Sequence, residues 1–306
     1  MVTTIDNTIS NRKNNTDYIE KRRTIRIRRS GLMHQKLEDI EKPSLKFAET
    51  KEELEQTFRL VYDVYSKKGF VPCVKENGML YNIYSLLPDT THVIAKSYQN
   101  VISNLTMMFD HKVFGLPMDE LYKGELDDLR SNGRKIVELS ALATPREHRW
   151  KNIFHYLVQV VYWYALYSDV DDICISINPR HVRYYMYLFP FEKFGSERYY
   201  PRVDAPAIGL RAKVQEIIGR MRQICNELGF DTPLYDYFYQ MTGYKPAREL
   251  PYMARNKLQI VVQPNKLDTQ SVEYFIQLDP EIVSDLNTDQ MEKLLEIYPG
   301  LQLPGF

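Results

Sequence analysis

With 306 residues, 44% of them hydrophobic and 26% charged, the chain has the make-up of a globular protein with one full domain and an appendage. Cys73, Cys174 and Cys225 are widely spaced and form no C-x-x-C, which argues against a disulfide framework or a zinc site and for a reducing, cytoplasmic setting. The most apolar stretch, residues 153–166, is broken by His155 and Gln159 and falls short of the ~20 residues of a membrane span, and the polar opening is not expected to act as a signal peptide.

Formal charge sums to zero but is unevenly placed. Residues 21–29 (KRRTIRIRR) carry six basic side chains in nine, whereas residues 264–306 carry eight acids against two lysines. A basic head is expected to be a solvated arm, with peripheral contact to an anionic membrane as the other use and nucleic acid disfavoured. The 23 tyrosines point to a half-wet groove or to seams where hydroxyls reach water.

Residues 1–43 read as a mobile basic leader, polar and without sustained periodicity, closing at Pro43. A short strand is expected over 45–49. Thr50 and Glu53 then form a T-x-x-E capping box for a helix that carries Leu54, Phe58, Val61, Tyr62 and Tyr65 on one face and stops near Gly69. Strands follow at 92–98 and 101–110, with Gln99 and Asn100 as the turn of a hairpin. A polar, partly helical segment covers 114–132, and a strand covers 135–144. Pro145 and a basic turn lead into an apolar helix over 151–167. Residues 172–177 are continuously apolar, as in a buried central strand.

Asn178 and Pro179 start a helix that runs to Phe189, and further strands are expected at 191–198 and 207–210. This order describes an α/β domain over 44–213, a mixed sheet with helices on both faces. Residues 214–306 read as a mainly helical C-terminal extension, with a helix over 213–228 and an aromatic helical turn over 234–241.

G-x-S-x-G, H-E-x-x-H, G-x-x-x-x-G-K-[ST] and G-x-G-x-x-G are all missing, which disfavours serine hydrolases of that type, zincins, P-loop enzymes and dinucleotide folds. The most informative acid is Glu138. Strand alternation puts it on one face with Ser140, between the apolar neighbours Val137 and Leu139. A carboxylate there must be paired or used. It is a candidate general base, and the other readings are an ion pair with a core arginine or a hydrogen bond to the first helix.

In element order the chain resembles the GNAT superfamily. Four blocks, FRLVYDVYSKKGF (58–70), LPMDELYKGELDDLRSNGRKIVELSALAT (116–144), NPRHVRYYMYLFPFEKFG (178–195) and YYPRVDAPAIGLR (199–211), resemble the N-acyl amino acid synthases of the N-acyltyrosine type. These are relatives of the acyl-homoserine-lactone synthases. The resemblance implies a GNAT-like acyltransferase fold and transfer of a fatty acyl group to an amino acid's amine. The co-substrate would be an acyl-phosphopantetheine thioester, with no permanently bound cofactor and no metal.

It also implies that strand 135–144 lies along the pantetheine arm, with Ser140 and a backbone N–H near Leu142 on the donor. The following helix start would take phosphate. Ordinary acetyltransferases carry [QR]-x-x-G-x-[GA] at the turn, whereas residues 145–151 here are PREHRWK, without glycine. The expected donor is therefore an acyl carrier protein, whose acidic surface suits Arg146, Arg149 and Lys151; a solvated basic turn is the alternative.

Tyr185, seven residues after Asn178, matches the spacing of the GNAT general acid for the departing thiol, or else is a core tyrosine. Acceptor candidates are Asn178, Arg180, His181, Arg183 and Tyr184, with the arginines suited to a carboxylate and His181 one turn before Tyr185. Phe58, Tyr62, Tyr65, Leu105, Met107 and Phe109 line an acyl tunnel or form plain core. Two other functions stay open: an acyl-homoserine-lactone synthase or acyl-CoA-dependent N-acetyltransferase, and an inactive GNAT-like module.

Overall fold

The structure is a computed structural model that describes residues 43–71, 74–151, 153–228 and 267–303. The expected leader (Pro43 apart) and the turn expected over 234–241 lie outside the described residues.

After β1 (Pro43–Phe47), the Thr50 hydroxyl accepts the Glu53 N–H at 3.2 Å and starts α1 (Lys51–Ser66). Glu53 does not return the bond to Thr50 as a full capping box would. Its carboxylate accepts the Glu49 N–H and pairs with Lys96 at 2.7 Å and Lys46 at 3.1 Å, tying the helix start to the sheet. α1 ends before Gly69, whose φ of +72° suits a residue without Cβ.

The hairpin of β2 (Thr90–Ser97) and β3 (Asn100–Phe109) turns one residue earlier than expected. Ser97 faces Asn100, so the turn is Tyr98–Gln99, and Tyr98 takes the positive φ of 52° that two-residue hairpin loops demand. The polar segment folds as α2 (Asp119–Ser131). Then come β4 (Ile136–Ala143), α3 (Ile153–Tyr167) and β5 (Asp172–Ile177). Asn178 caps a single 3₁₀ turn, Pro179–His181, and only then does α4 (Val182–Leu188) begin.

The strand expected over 191–198 is two short ones, β6 (Glu192–Lys193) and β7 (Arg198–Tyr200). The cause is Tyr122 of α2. Its ring fills the space where a Cβ on Gly195 would stand, and its hydroxyl donates to the Ser196 and Ala207 carbonyls. Both β6 and β7 pair with β8 (Ala205–Lys213). The sheet runs β1-β2-β3-β4-β5-β8-β6; β4 and β5 are parallel and the other pairs antiparallel.

One face of the sheet packs on α3 through Leu45, Val93, Met107, Val137 and Ile173. The other packs on α1 through Ile94 and on α2 through Met108, Ile136 and Cys174. The boundary expected at residue 213 falls inside this packed body. α5 (Ile217–Leu228) buries Ile217 and Met221 in the core on the α3 side. α6 (Thr269–Leu278), α7 (Glu281–Ser284) and α8 (Thr288–Ile297) close the α1 side, where Phe275 meets the Phe58 ring at 5.2 Å and accepts from the Tyr81 hydroxyl at 2.7 Å. Among the described residues no helix is long and apolar enough to cross a membrane.

Candidate active site

Two local features of β4 open the sheet at its centre. First, Asn104 and Thr106 of β3 face Ala143 and Ser140, so β4 carries one residue more than its partner. That bulge sits at Ala141, whose φ is 50°, and the Asn104 amide holds it by donating to the Ala141 carbonyl at 2.9 Å. A bulge bends the strand that carries it. Second, the parallel ladder to β5 runs only from Ile136–Asp172 to Glu138–Cys174. Beyond Glu138 the two strands part.

A cavity of about 580 Å³ fills the gap. Because strand side chains alternate, its two sides differ in chemistry. Glu138, Ser140, Ser176 and Tyr200 line the side that faces α2, while Leu105, Ile173, Val158, Phe189 and Met221 line the α3 side.

Glu138 is 4% exposed, and its Oε2 accepts the Met118 N–H at 2.8 Å. Burial pushes its carboxyl up to about 8, with nearby Asp119 adding to the rise; the Met118 bond and Arg202 oppose it. Among the described residues no cation forms a salt bridge with it, and its hydrogen bond comes from the start of α2 rather than from the first helix. Such a group is protonated at neutral pH and ionises near the range of an α-amino group.

Tyr185 also lines the cavity, its ring held 5.9 Å from Phe191 and 6.2 Å from Phe189. Burial raises its hydroxyl to about 12, so it stays a proton donor. Tyr65, at the end of α1, shares this part of the wall, and its hydroxyl is raised by burial and by Tyr185.

Of the donor candidates, Ser140 and Leu142 lie on the wall. Arg146 is exposed in the 3₁₀ turn Arg146–Lys151 and does not reach the cavity, and the side chains of Arg149 and Lys151 lie outside the described residues. Of the acceptor candidates, Asn178, His181 and Tyr184 line the cavity. The Asn178 side chain is already engaged, accepting the Arg180 N–H at 3.2 Å. Arg180 stands at the rim, 5.5 Å over the Phe70 ring and donating from Nε to His181 Nε2 at 3.1 Å. Arg183 points to solvent, away from the wall.

The six residues expected in an acyl tunnel or in plain core divide between the two. Tyr65 and Leu105 line the cavity, Tyr62 does not, and Phe58, Met107 and Phe109 pack in the core against neighbours such as Phe275 and Tyr164. His155, Ser176 and Tyr200 also stand on the wall and were not among the site candidates. Ser176 was within reach, since it shares a face with Cys174, which pairs with Glu138.

Residues 56–213 match the family model described as N-acyl amino acid synthase FeeM. Among solved structures, FeeM, an N-acyl amino acid synthase from uncultured soil microbes, is 25% identical with a TM-score of 0.52, covering 58% of this chain and 94% of that one. BjaI, a CoA-dependent acyl-homoserine lactone synthase, is 14% identical with a TM-score of 0.47, covering 62% and 92%. An acyl-CoA N-acyltransferase from Pseudomonas aeruginosa is 19% identical with a TM-score of 0.38, covering 55% and 97%. No curated protein matches the chain.

Proposed function

The chain belongs to the N-acyl amino acid synthase FeeM family and is an acyltransferase of GNAT-type fold, and on that premise we propose that it moves a fatty acyl group from an acyl carrier protein thioester to the amine of an amino acid. The observation that carries this reading is the two-sided cavity at the parting of β4 and β5. It has an apolar side for a chain and a polar side holding a buried, unpaired carboxyl.

In this reading the thioester lies along the β4 edge left unpaired beyond Glu138, its carbonyl oxygen polarised by a backbone N–H near Leu142. The amine attacks the carbonyl carbon, the C–N bond forms, and the C–S bond breaks. Ionised Glu138 takes the proton from nitrogen, and Tyr185 or solvent returns one to the thiolate. No acyl-enzyme is needed. Asn178, His181 and Tyr184 frame the acceptor on the wall, and Arg180 at the rim receives its carboxylate.

The carrier follows from the turn after β4, which lacks glycine and exposes Arg146. Backbone amides cannot approach a pyrophosphate closely there, whereas an acidic protein surface needs only exposed cations. The test incubates the full chain with C2 to C18 acyl groups on both carrier protein and coenzyme A, with pooled amino acids, and identifies products by mass spectrometry. A long-chain N-acyl amino acid with higher kcat/KM from the carrier protein is expected. Equal kcat/KM from both donors removes the carrier, acetyl transfer alone removes the fatty chain, and no product removes the reaction.

A further inference from the structure

The apolar side of the cavity contains one group that does not belong in a plain hydrocarbon channel. His155, in the first turn of α3, is buried at 7% exposure and lines the cavity, yet neither ring nitrogen has a hydrogen-bond partner. Its surroundings are apolar: Phe154 at 5.5 Å and Phe189 at 6.4 Å between ring centres, with Val158, Val161 and Met221 further along the same wall. A buried polar group without a partner lowers stability, and native proteins rarely keep one unless something binds it. The contrast with His92 is direct. That imidazole is equally buried but closed at both ends, Nδ1 with Thr106 Oγ1 at 3.0 Å and Nε2 with the Ser85 carbonyl at 2.9 Å.

We propose that His155 is a specificity residue that hydrogen-bonds an oxygen substituent on the acyl chain, so that the favoured donor is a hydroxylated fatty acyl group. The inference rests on the acyltransferase reading and adds the substrate class. Burial lowers the imidazole to about 4, so it is neutral under working conditions, with one nitrogen donating and the other accepting. A hydroxyl can use both the donor and the acceptor of a neutral imidazole, whereas a carboxylate or phosphate uses only the donor and would bring a charge into the apolar wall. The position favours the chain, although Tyr184 and Tyr185 also pack on Phe189 beside it. His155 stands on the α3 side among chain-lining residues, whereas Glu138 and the unpartnered Ser176 hydroxyl stand on the α2 side where the amine enters.

The test compares chain-matched donors, unsubstituted, 3-hydroxy, and hydroxylated further along, in wild type, His155→Leu and His155→Gln. Wild type is expected to prefer one hydroxylated donor by roughly tenfold or more in kcat/KM, the order of a buried hydrogen bond. His155→Leu should lose that preference because the hydroxylated donor slows while the unsubstituted one holds or improves. His155→Gln, which keeps a donor and an acceptor, should retain part of it. The free enzyme should melt no lower as His155→Leu than as wild type.

An equal loss on every donor assigns the imidazole to the carrier arm common to all and overturns the proposal. So does a wild type that turns over unsubstituted chains with no preference, which leaves acyl transfer itself standing. Failure with every donor removes both.

Discussion

Two buried carboxylates sit one pleat apart on the central parallel pair of strands, and the fold treats them in opposite ways. Asp172 opens β5 opposite Ile136, is fully buried, and is gripped by two arginines, Arg134 and Arg211. Glu138 lies opposite Cys174, is almost as buried, and receives a single backbone N–H from Met118. At the first the ladder is closed and the charge is neutralised by partners. At the second the ladder ends and the charge is suppressed by burial, with nearby Asp119 adding to it. In the proposed mechanism the first is the structural acid and the second the chemical one.

Removing the Asp172 charge should have the largest effect on stability and the smallest on chemistry. Asp172→Asn keeps the shape but leaves Arg134 and Arg211 facing each other without an anion, a loss of about 3–5 kcal/mol for a broken buried pair. Urea unfolding measures it. Activity per folded molecule should stay close to wild type, because neither arginine nor Asp172 lines the cavity. A well-folded but inactive Asp172→Asn would mean that the two carboxylates act together and that the contrast is false.

Glu138→Gln should show the mirror image. Its amide oxygen can still accept the Met118 N–H, so the fold stays intact, while kcat falls by ~100-fold or more for loss of a general base. The gap should open as pH rises through about 8, where the wild-type carboxyl ionises and the variant has nothing to ionise. Stability moves in the direction set by the raised carboxyl. A buried acid whose folded value is about 8 contributes stability that is fully present below about 4.5 and lost as pH rises through about 8. Gln does not titrate. The variant's unfolding free energy should therefore gain on wild type from pH 5 to pH 8, by at most ~1.4 kcal/mol per pH unit, and level off above, as urea unfolding across pH would show. A variant that melts lower at every pH with kcat preserved would make Glu138 a second Asp172.

The sequence showed some of this contrast and hid the rest for a physical reason. Glu138 was legible because strand alternation places it on a face with Ser140, and β5 because Ile173, Cys174, Ile175 and Ile177 give it a mainly apolar run. His155, Ser176 and Tyr200 come from a helix and two other strands and meet only because β4 leaves β5 after Glu138, a fact of register that no local pattern carries. The helix after β5 is hidden in a different way: its first turn is 3₁₀ and the α-helix starts only at Val182, so positions counted on from Asn178 do not keep a 3.6-residue phase. Phe275 and Leu294 complete a core begun by Leu54 and Phe58, more than two hundred residues earlier, and no local pattern carries a pairing at that distance.

Tyr185→Phe is expected to have the smallest effect, and it sharpens the contrast from the donor side. The hydroxyl is raised to about 12 by burial, so the wild-type rate should show no basic limb from this group in the accessible pH range. Phe fills the same place against Phe189 and Phe191, so the melting temperature should stay within a degree or two, about 0.5 kcal/mol. The loss in kcat should be modest, about tenfold or less, because a thiolate with a parent pKa near 8.5 leaves without much help at neutral pH. A loss of that size does not by itself identify a proton donor, so the discriminating measurement varies the leaving group. Single-turnover rates with acyl thioesters of thiols of rising pKa should fall more steeply in Tyr185→Phe than in wild type, since a poorer leaving group depends more on the proton. Parallel slopes would leave Tyr185 as a wall residue, and the proton for the departing sulfur would then come from solvent.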